Sequence, residues 1–447
     1  MEPERFDSAR LLQRMDGRDF CLGIIGLGYV GVPLALAAAN ASIRVLGFDI
    51  NAARVEGLNS GRSMFRHIPD QRMQDAIAAG NFEATSDFAR LGEPDAIVIA
   101  VPTPLTRNRE PDLSFVEATA RSIAACLRPG QLIVLESTTW PGTTMEVLKP
   151  ILDRTGLVSG RDYFLAFSPE REDPGNKSFS TADIPKVVGG DGPLALQLAT
   201  ALYAKMVIHV VPVSSTAAAE AVKLTENIFR SVNIALVNEL KLIYDAMGID
   251  IWEVIDAAKT KPFGFMPFYP GPGLGGHCIP IDPFYLSWRA REFGLTTRFI
   301  ELAGEINTFM PHHVVARMAE ALDRQQGKGL NGAKLLVIGV AYKKNIDDMR
   351  ESPALVLIEL LQKRGAIMVF HDPLVDIIPP TREHAALAGL RSMDLDAGLV
   401  GGQDGVLIAT DHDDIDYELL HRHARLIVDT RNAMGARGIT SAHVIKA

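Results

Sequence analysis

Cysteine is scarce: Cys21, Cys126 and Cys278 are the only three in 447 residues. That is too few for a disulfide framework and fits a reducing cytoplasm. Nowhere does the chain run for about 18 uninterrupted apolar residues, so no membrane span is expected. The opening Met1–Phe20 mixes charges of both signs where a secretory signal would carry an apolar core. Positive charge is also in deficit, with 45 Lys and Arg against 54 Asp and Glu and a net charge of −9. That balance argues against nucleic acid as the main partner, though it says nothing of a local pocket for a small phosphate ligand. No metal site is expected. What remains is an ordinary globular composition, 47% hydrophobic and 22% charged, in a chain long enough for two or three cores.

From Asp19 onward, short apolar runs alternate with longer amphipathic or alanine-rich stretches. Cys21–Ile25, Val45–Asp49, Ala96–Val101 and Leu132–Glu136 read as strands separated by helices. Such alternation predicts a parallel sheet covered on both faces, here over 1–212. The pattern then changes. Ser214–Met247 contains neither Gly nor Pro and is followed by Gly248, the marks of one long helix. Lys261–Pro283 is crowded with Pro, Gly and aromatics and must be largely irregular. A further helical stretch from Pro283 to about Gln326 completes a middle domain, 213–326. Strand-like runs return at Lys334–Val340, Ile367–His371, Gly405–Ala409 and Arg425–Val428, so 327–447 is a second unit of the first kind. The expected fold is α/β: two Rossmann-like doubly wound domains joined by a long central helix and a helical middle domain.

Directly after the first strand stands Gly26-Leu27-Gly28-Tyr29-Val30-Gly31, followed by an alanine-rich helix. In this G-x-G-x-x-G turn Gly26 permits the tight bend, Gly28 lets backbone approach a pyrophosphate, and Gly31 allows close helix–strand packing. The whole turn, Tyr29 and Val30 included, is the candidate cofactor contact. Asp49 ends the second strand, where a carboxylate hydrogen-bonds the adenosine ribose and repels a 2′-phosphate, so NAD is expected over NADP. Arg54 either flanks the adenosine or is a solvated helix charge. Thr103, in Val101-Pro102-Thr103-Pro104, follows the next strand at the carboxyl edge of the sheet, where ligands bind in such folds.

The run from Pro270 to Pro283, with Gly271, Gly273, Gly275 and Gly276 ahead of His277-Cys278 and Asp282, spends conformational entropy that is tolerated where backbone passes close to a ligand. A lone cysteine is ordinarily a small buried hydrophobe. Cys278, however, has Gly, His and Asp for neighbours, which fits a chemical role. On the long helix, Glu220, Lys223 and Asn227 share one face. Alone they would read as a solvated stripe, but their surroundings are mostly apolar, so Lys223 and Asn227 are candidates to stabilise an oxyanion.

These motifs, together with Glu136-Ser137-Thr138-Thr139, Ser168-Pro169-Glu170, Ala341-Tyr342-Lys343-Lys344 and Arg350-Glu351-Ser352, resemble the UDP-glucose/GDP-mannose dehydrogenase family over nearly the whole chain. The resemblance implies an NAD-dependent oxidation of an alcohol to an acid, with Cys278 as nucleophile. Lys223 and Asn227 would steady oxyanions, while Thr138, Glu170 and Asp282 position water and move protons. It implies cofactor contacts at Thr138 and, from a neighbouring subunit of a homodimer, Arg350. Substrate contacts would come from Glu170, Arg171, Lys223, Asn227, Gly275, Lys343 and Arg431. The second α/β unit keeps only Gly339 near its first turn, which fits a UDP-sugar domain. His277, Ile281 and Pro283 around Cys278, and the run from Phe167 to Asn176, resemble the branch that oxidises UDP-N-acetylhexosamines for surface polysaccharides. UDP-N-acetylglucosamine is the expected substrate, and UDP-N-acetylgalactosamine or UDP-glucose are the alternatives.

Two other classes compete. A two-electron hydroxy-acid dehydrogenase would use the same NAD turn and long helix but leave the cysteine loop unexplained, and a silent nucleotide-sugar sensor would leave all of these residues idle. Cys278→Ser decides between covalent and simple hydride chemistry. It should abolish acid formation while NAD affinity stays near wild type, and a variant keeping more than about a tenth of wild-type turnover would contradict a required nucleophile.

Overall fold

A computed structural model describes residues 8–65, 68–106, 110–171, 182–276, 279–381 and 383–447. The chain forms two compact units, Met1–Glu226 with Phe284–Leu295, and Asn227–Pro283 with Thr296–Ala447.

The first unit is built on an eight-stranded sheet: β1 Cys21–Ile25, β2 Arg44–Phe48, β3 Phe82–Thr85, β4 Ala96–Ile99, β5 Leu132–Leu135, β6 Phe164–Phe167, β7 Lys186–Gly190 and β8 Val210–Val213. Their order is β3-β2-β1-β4-β5-β6-β7-β8. Neighbours pair in parallel except β6 and β7, so the expected parallel sheet ends in a reversed pair. β1, β2, β4 and β5 lie where the apolar runs placed them, each within a residue or two. The order reverses between β1 and β4, the position at which doubly wound sheets open a ligand crevice. Leu22, Ile24, Val45, Val98 and Val134 alternate into one core beneath the helices Gly31–Asn40 and Pro193–Tyr203.

The long helix is Thr216–Met247, and the boundary between the units falls inside it. The helical stretch expected after Pro283 is two helices, Asp282–Glu292 and Arg298–Gln326. Gly294, at φ +70°, follows the end of the first, in the left-handed conformation that favours glycine at a helix terminus. The second unit carries a five-stranded parallel sheet: β9 Lys334–Ile338, β10 Ile367–His371, β11 Gly405–Ile408, β12 Ile427–Asp429 and β13 Val444–Lys446, in the order β10-β9-β11-β12-β13. Among the described residues no helix is long and apolar enough to cross a membrane.

At the carboxyl end of β5 the first core holds a buried charge. Glu136 pairs with Lys186 at 3.0 Å and accepts the hydroxyl hydrogen bond of Tyr203. All three side chains are buried, so the ions survive only because each has a partner. Glu136→Ala should leave Lys186 uncompensated and cost about 3–5 kcal/mol of stability. Urea unfolding checks this, and a loss under about 1 kcal/mol would show that the pair is not buried as described.

Candidate active site

In the first unit the glycine turn has the geometry its pattern implies. Gly26 adopts φ +95°, and a Cβ at Gly31 would lie 1.9 Å from the Gly26 carbonyl oxygen, so any side chain there forces the helix off the strand. Around Gly28 a Cβ would meet nothing within 4 Å, which leaves open space where a pyrophosphate would lie. The helix behind it starts at Gly31 without a side-chain cap, so its N-terminal dipole faces that space. Tyr29 and Val30 are half-buried in the same turn, and Tyr29 packs against Phe65 at 4.6 Å.

Asp49 is buried one residue beyond β2. Its Oδ2 accepts from the Leu27 amide at 3.0 Å and the Arg54 guanidinium at 2.8 Å, and its Oδ1 accepts from the Asn51 amide at 2.8 Å. Oδ2 is saturated, whereas Oδ1 keeps one acceptor site. Arg54 is therefore a partner of Asp49, not a freely solvated charge. The buried Thr103 gives its carbonyl to the Tyr285 hydroxyl at 2.9 Å. Ser137 donates to the Val101 carbonyl at 2.7 Å, which leaves Thr138 half-exposed between buried Ser137 and Thr139. An open glycine turn, an uncapped helix start and a carboxylate with spare acceptor capacity fit NAD.

Also in this unit, the buried Lys223 ammonium donates to the Glu170 carbonyl at 2.6 Å and lies 3.3 Å from its carboxylate. Arg171 pairs with Glu226 at 2.5 Å and donates to the Pro185 carbonyl at 2.7 Å.

In the second unit, the buried Asn227 amide donates to the buried Asp282 carboxylate at 2.5 Å. The glycine loop packs onto the C-terminal segment. A Cβ at Gly275 would meet Tyr342 at 2.6 Å and Pro353 at 2.9 Å, and one at Gly271 would meet the Arg431 guanidinium at 2.4 Å. Glycine is thus required here by close approach to the protein's own side chains, whereas the composition had suggested close approach to a ligand. The Gly276 amide donates to the Arg350 carbonyl at 3.2 Å. The half-exposed Lys343 lies one residue beyond Tyr342. The Arg350 side chain is exposed and held by Asp348 at 2.6 Å. His277 and Cys278 lie outside the described residues, and no group of His, Cys, Asp and Glu able to hold a metal occurs among the described ones.

Several residues escaped the reading of the sequence. Asn238 holds the Gly271 amide at 3.0 Å and is itself bonded to Asn307 at 2.9 Å. Tyr285, which holds Thr103, lies with its ring tilted 6.3 Å from that of Trp140. Polar residues buried in otherwise amphipathic helices were the available signal, but their partners lie too far along the chain to pair by pattern.

A Rossmann turn with a buried carboxylate just beyond the second strand, joined in one chain to a second Rossmann unit, fits an NAD-dependent dehydrogenase of a nucleotide-linked substrate. The chain belongs to the UDP-glucose/GDP-mannose dehydrogenase family: its NAD binding domain matches residues 21–207, its central domain 217–309 and its UDP binding domain 336–436. It is 36% identical to an NDP-N-acetyl-D-galactosaminuronic acid dehydrogenase of Ralstonia nicotianae, over 94% of this chain and 97% of that one. It is 33% identical to a UDP-N-acetyl-D-glucosamine 6-dehydrogenase of Pseudomonas aeruginosa, over 88% and 91%. Its fold matches the structure of a UDP-D-ManNAc dehydrogenase from Pyrococcus horikoshii with a TM-score of 0.85 at 32% identity, over 95% and 98%. The expected family, the three-domain α/β architecture and NAD as cofactor are thereby established.

Asp49→Ala tests the expectation that this carboxylate accepts from the ribose and repels a 2′-phosphate. NAD affinity should fall by about tenfold, the loss of a charge-assisted hydrogen bond, and the preference over NADP should narrow. Calorimetry with both cofactors measures this, and unchanged affinities would remove Asp49 from the cofactor site.

Proposed function

We propose that this chain oxidises the C6 alcohol of a UDP-N-acetylhexosamine to the carboxylate, with UDP-N-acetylglucosamine as the preferred substrate. The observation that carries the reading is the pairing of Asn227 with Asp282, a buried amide holding a buried carboxylate four residues beyond Cys278. A hydride transfer alone has no use for a thiol four residues along the chain from a poised carboxylate. A reaction that must add a nucleophile and then hydrolyse its adduct needs both. The names of the three relatives described above, each built on an N-acetylated sugar, support the substrate class.

Two NAD molecules, bound in turn, would each supply the acceptor for one hydride, one per oxidation. After the first, the Cys278 thiol adds to the aldehyde carbon and its proton passes to the carbonyl oxygen. After the second, the sugar is held as a thioester, which water cleaves to the carboxylate while the thiol is restored. Lys223 and Asn227 donate to the oxyanion, and each is pre-oriented by a carboxylate, Glu170 and Asp282 respectively. Asp282, Glu170 and Thr138 are assigned to positioning water and moving protons. Gly275, Lys343, Arg171 and Arg431 are assigned to the UDP-sugar, and Arg350 to the cofactor of a neighbouring subunit.

The same reading makes the enzyme a cytoplasmic homodimer. Phe229, Leu236 and Ile243 recur every seventh residue along Thr216–Met247 and are 48%, 50% and 47% exposed. Phe299, Leu302 and Phe309 are also exposed on Arg298–Gln326. Apolar surface repeated in this way calls for cover, and a second copy of the same face supplies it.

Two NADH should form per sugar consumed, first with UDP-N-acetylglucosamine in a panel of UDP-sugars. One NADH would support two-electron chemistry and none a sensor. Light scattering should give twice 48.5 kDa, and a fully active single chain would contradict both the dimer and the assignment of Arg350.

A further inference from the structure

Glu220 is wholly buried, and the proposed chemistry gives it no task. Its carboxylate is nonetheless one of the most heavily bonded groups in the first unit. Oε2 accepts from the Gly142 amide at 2.5 Å, and Oε1 accepts from the Thr144 amide at 2.8 Å and the Thr144 hydroxyl at 2.7 Å. Three donors converge on a group that needs no hydrogen of its own, so the ionised form fits the site and a neutral amide would not. The turn so held is the continuation of Ser137-Thr138-Thr139. Within it the Thr143 hydroxyl donates to the Trp140 carbonyl at 2.8 Å. Trp140 lies 4.7 Å from Trp288 and 6.3 Å from Tyr285, the residue whose hydroxyl holds the Thr103 carbonyl.

We propose that Glu220 is a positioning residue of the reaction: by fixing the Gly142–Thr144 turn it sets the backbone that presents Thr138 to the cofactor. The assignment rests on the dehydrogenase reading above and adds a second duty to the helix that carries Lys223. Burial pushes the Glu220 carboxyl up to about 7, and Glu146 adds to the rise. Protonation therefore falls near neutral pH and weakens the acceptor that the turn depends on. The charged groups around it are Glu146 and Arg289, which pair beside Gly142, and Lys223 on its own helix, which is tied to Glu170.

The test compares Glu220→Gln, Glu220→Asp and Thr144→Val in the full-length enzyme. Glu220→Gln should weaken NAD binding and lower kcat by tenfold or more, with UDP affinity unchanged within twofold. Wild-type NAD affinity should decline as pH falls through about 7, and Glu220→Gln should erase that limb. Glu220→Asp should recover part of the loss because it keeps the charge. Wild-type kcat and NAD affinity in Glu220→Gln, or a limb near pH 7 that survives it, would overturn the assignment. If Glu220→Gln does not fold, Thr144→Val decides: its NAD KM should rise about threefold, and an unchanged value overturns the proposal. Failure of the dehydrogenase reading looks different, because the wild type itself would then form no acid.

Discussion

A buried polar group must find a hydrogen-bond partner or forfeit the free energy of its hydration, and one helix imposes that demand repeatedly. Along Thr216–Met247 the buried residues include Glu220, Lys223, Asn227, Ser231, Asn238 and Lys241, a polar stripe at helical spacing turned inward. Four of them are answered by particular segments: Glu220 by the Gly142–Thr144 turn, Lys223 by Glu170, Asn227 by Asp282, and Asn238 by Gly271. The first three of these lead into motifs that the functional reading uses, and the fourth opens the glycine loop. The outward side carries Phe229, Leu236 and Ile243. Buried polar groups on one face and exposed apolar side chains on another thus share this one helix.

The two Rossmann units repeat one device and then diverge. In the first, Gly26 turns the chain after β1 and Asp49 follows β2, accepting from the Leu27 amide. In the second, Gly339 turns it after β9 and Asp372 follows β10, accepting from the Val340 amide at 2.7 Å. Asp49 retains an acceptor site. Asp372 is closed off by the buried His412 at 3.2 Å and by the amides of Leu374 and Val375, and the hydrogen bond from His412 helps hold its carboxyl below the ordinary value against desolvation. A carboxylate so enclosed cannot serve a ribose. The family's assignment of the second unit to UDP thus agrees with the missing glycine triad.

How far the sequence could be read depended on the range of each interaction. Strands β1, β2, β4 and β5 were legible because buried parallel strands are short continuous apolar runs. β8 was not: Val210–Val213 contains Pro212, which reads as a break and is tolerated only because β8 is an edge strand. β7 ends in Gly189-Gly190 and blurs in the same way. The glycine turn and Asp49 were legible as a motif with fixed spacing. Lys223 and Asn227 were legible as one helix face, and the apolar setting that argued for their burial applied equally to Glu220. Its partners were not, since Gly142 and Thr144 lie more than seventy residues away. No local pattern records a pairing of that kind.

The central claim is that the sugar passes through a covalent bond to Cys278. The most direct measurement is the mass of the Cys278 peptide from Asp282→Asn enzyme, quenched in acid during turnover with UDP-N-acetylglucosamine and excess NAD. With water activation impaired, the account predicts a thioester adduct of the oxidised sugar on Cys278 that hydroxylamine releases. NADH formation with an unmodified Cys278 peptide throughout would contradict it.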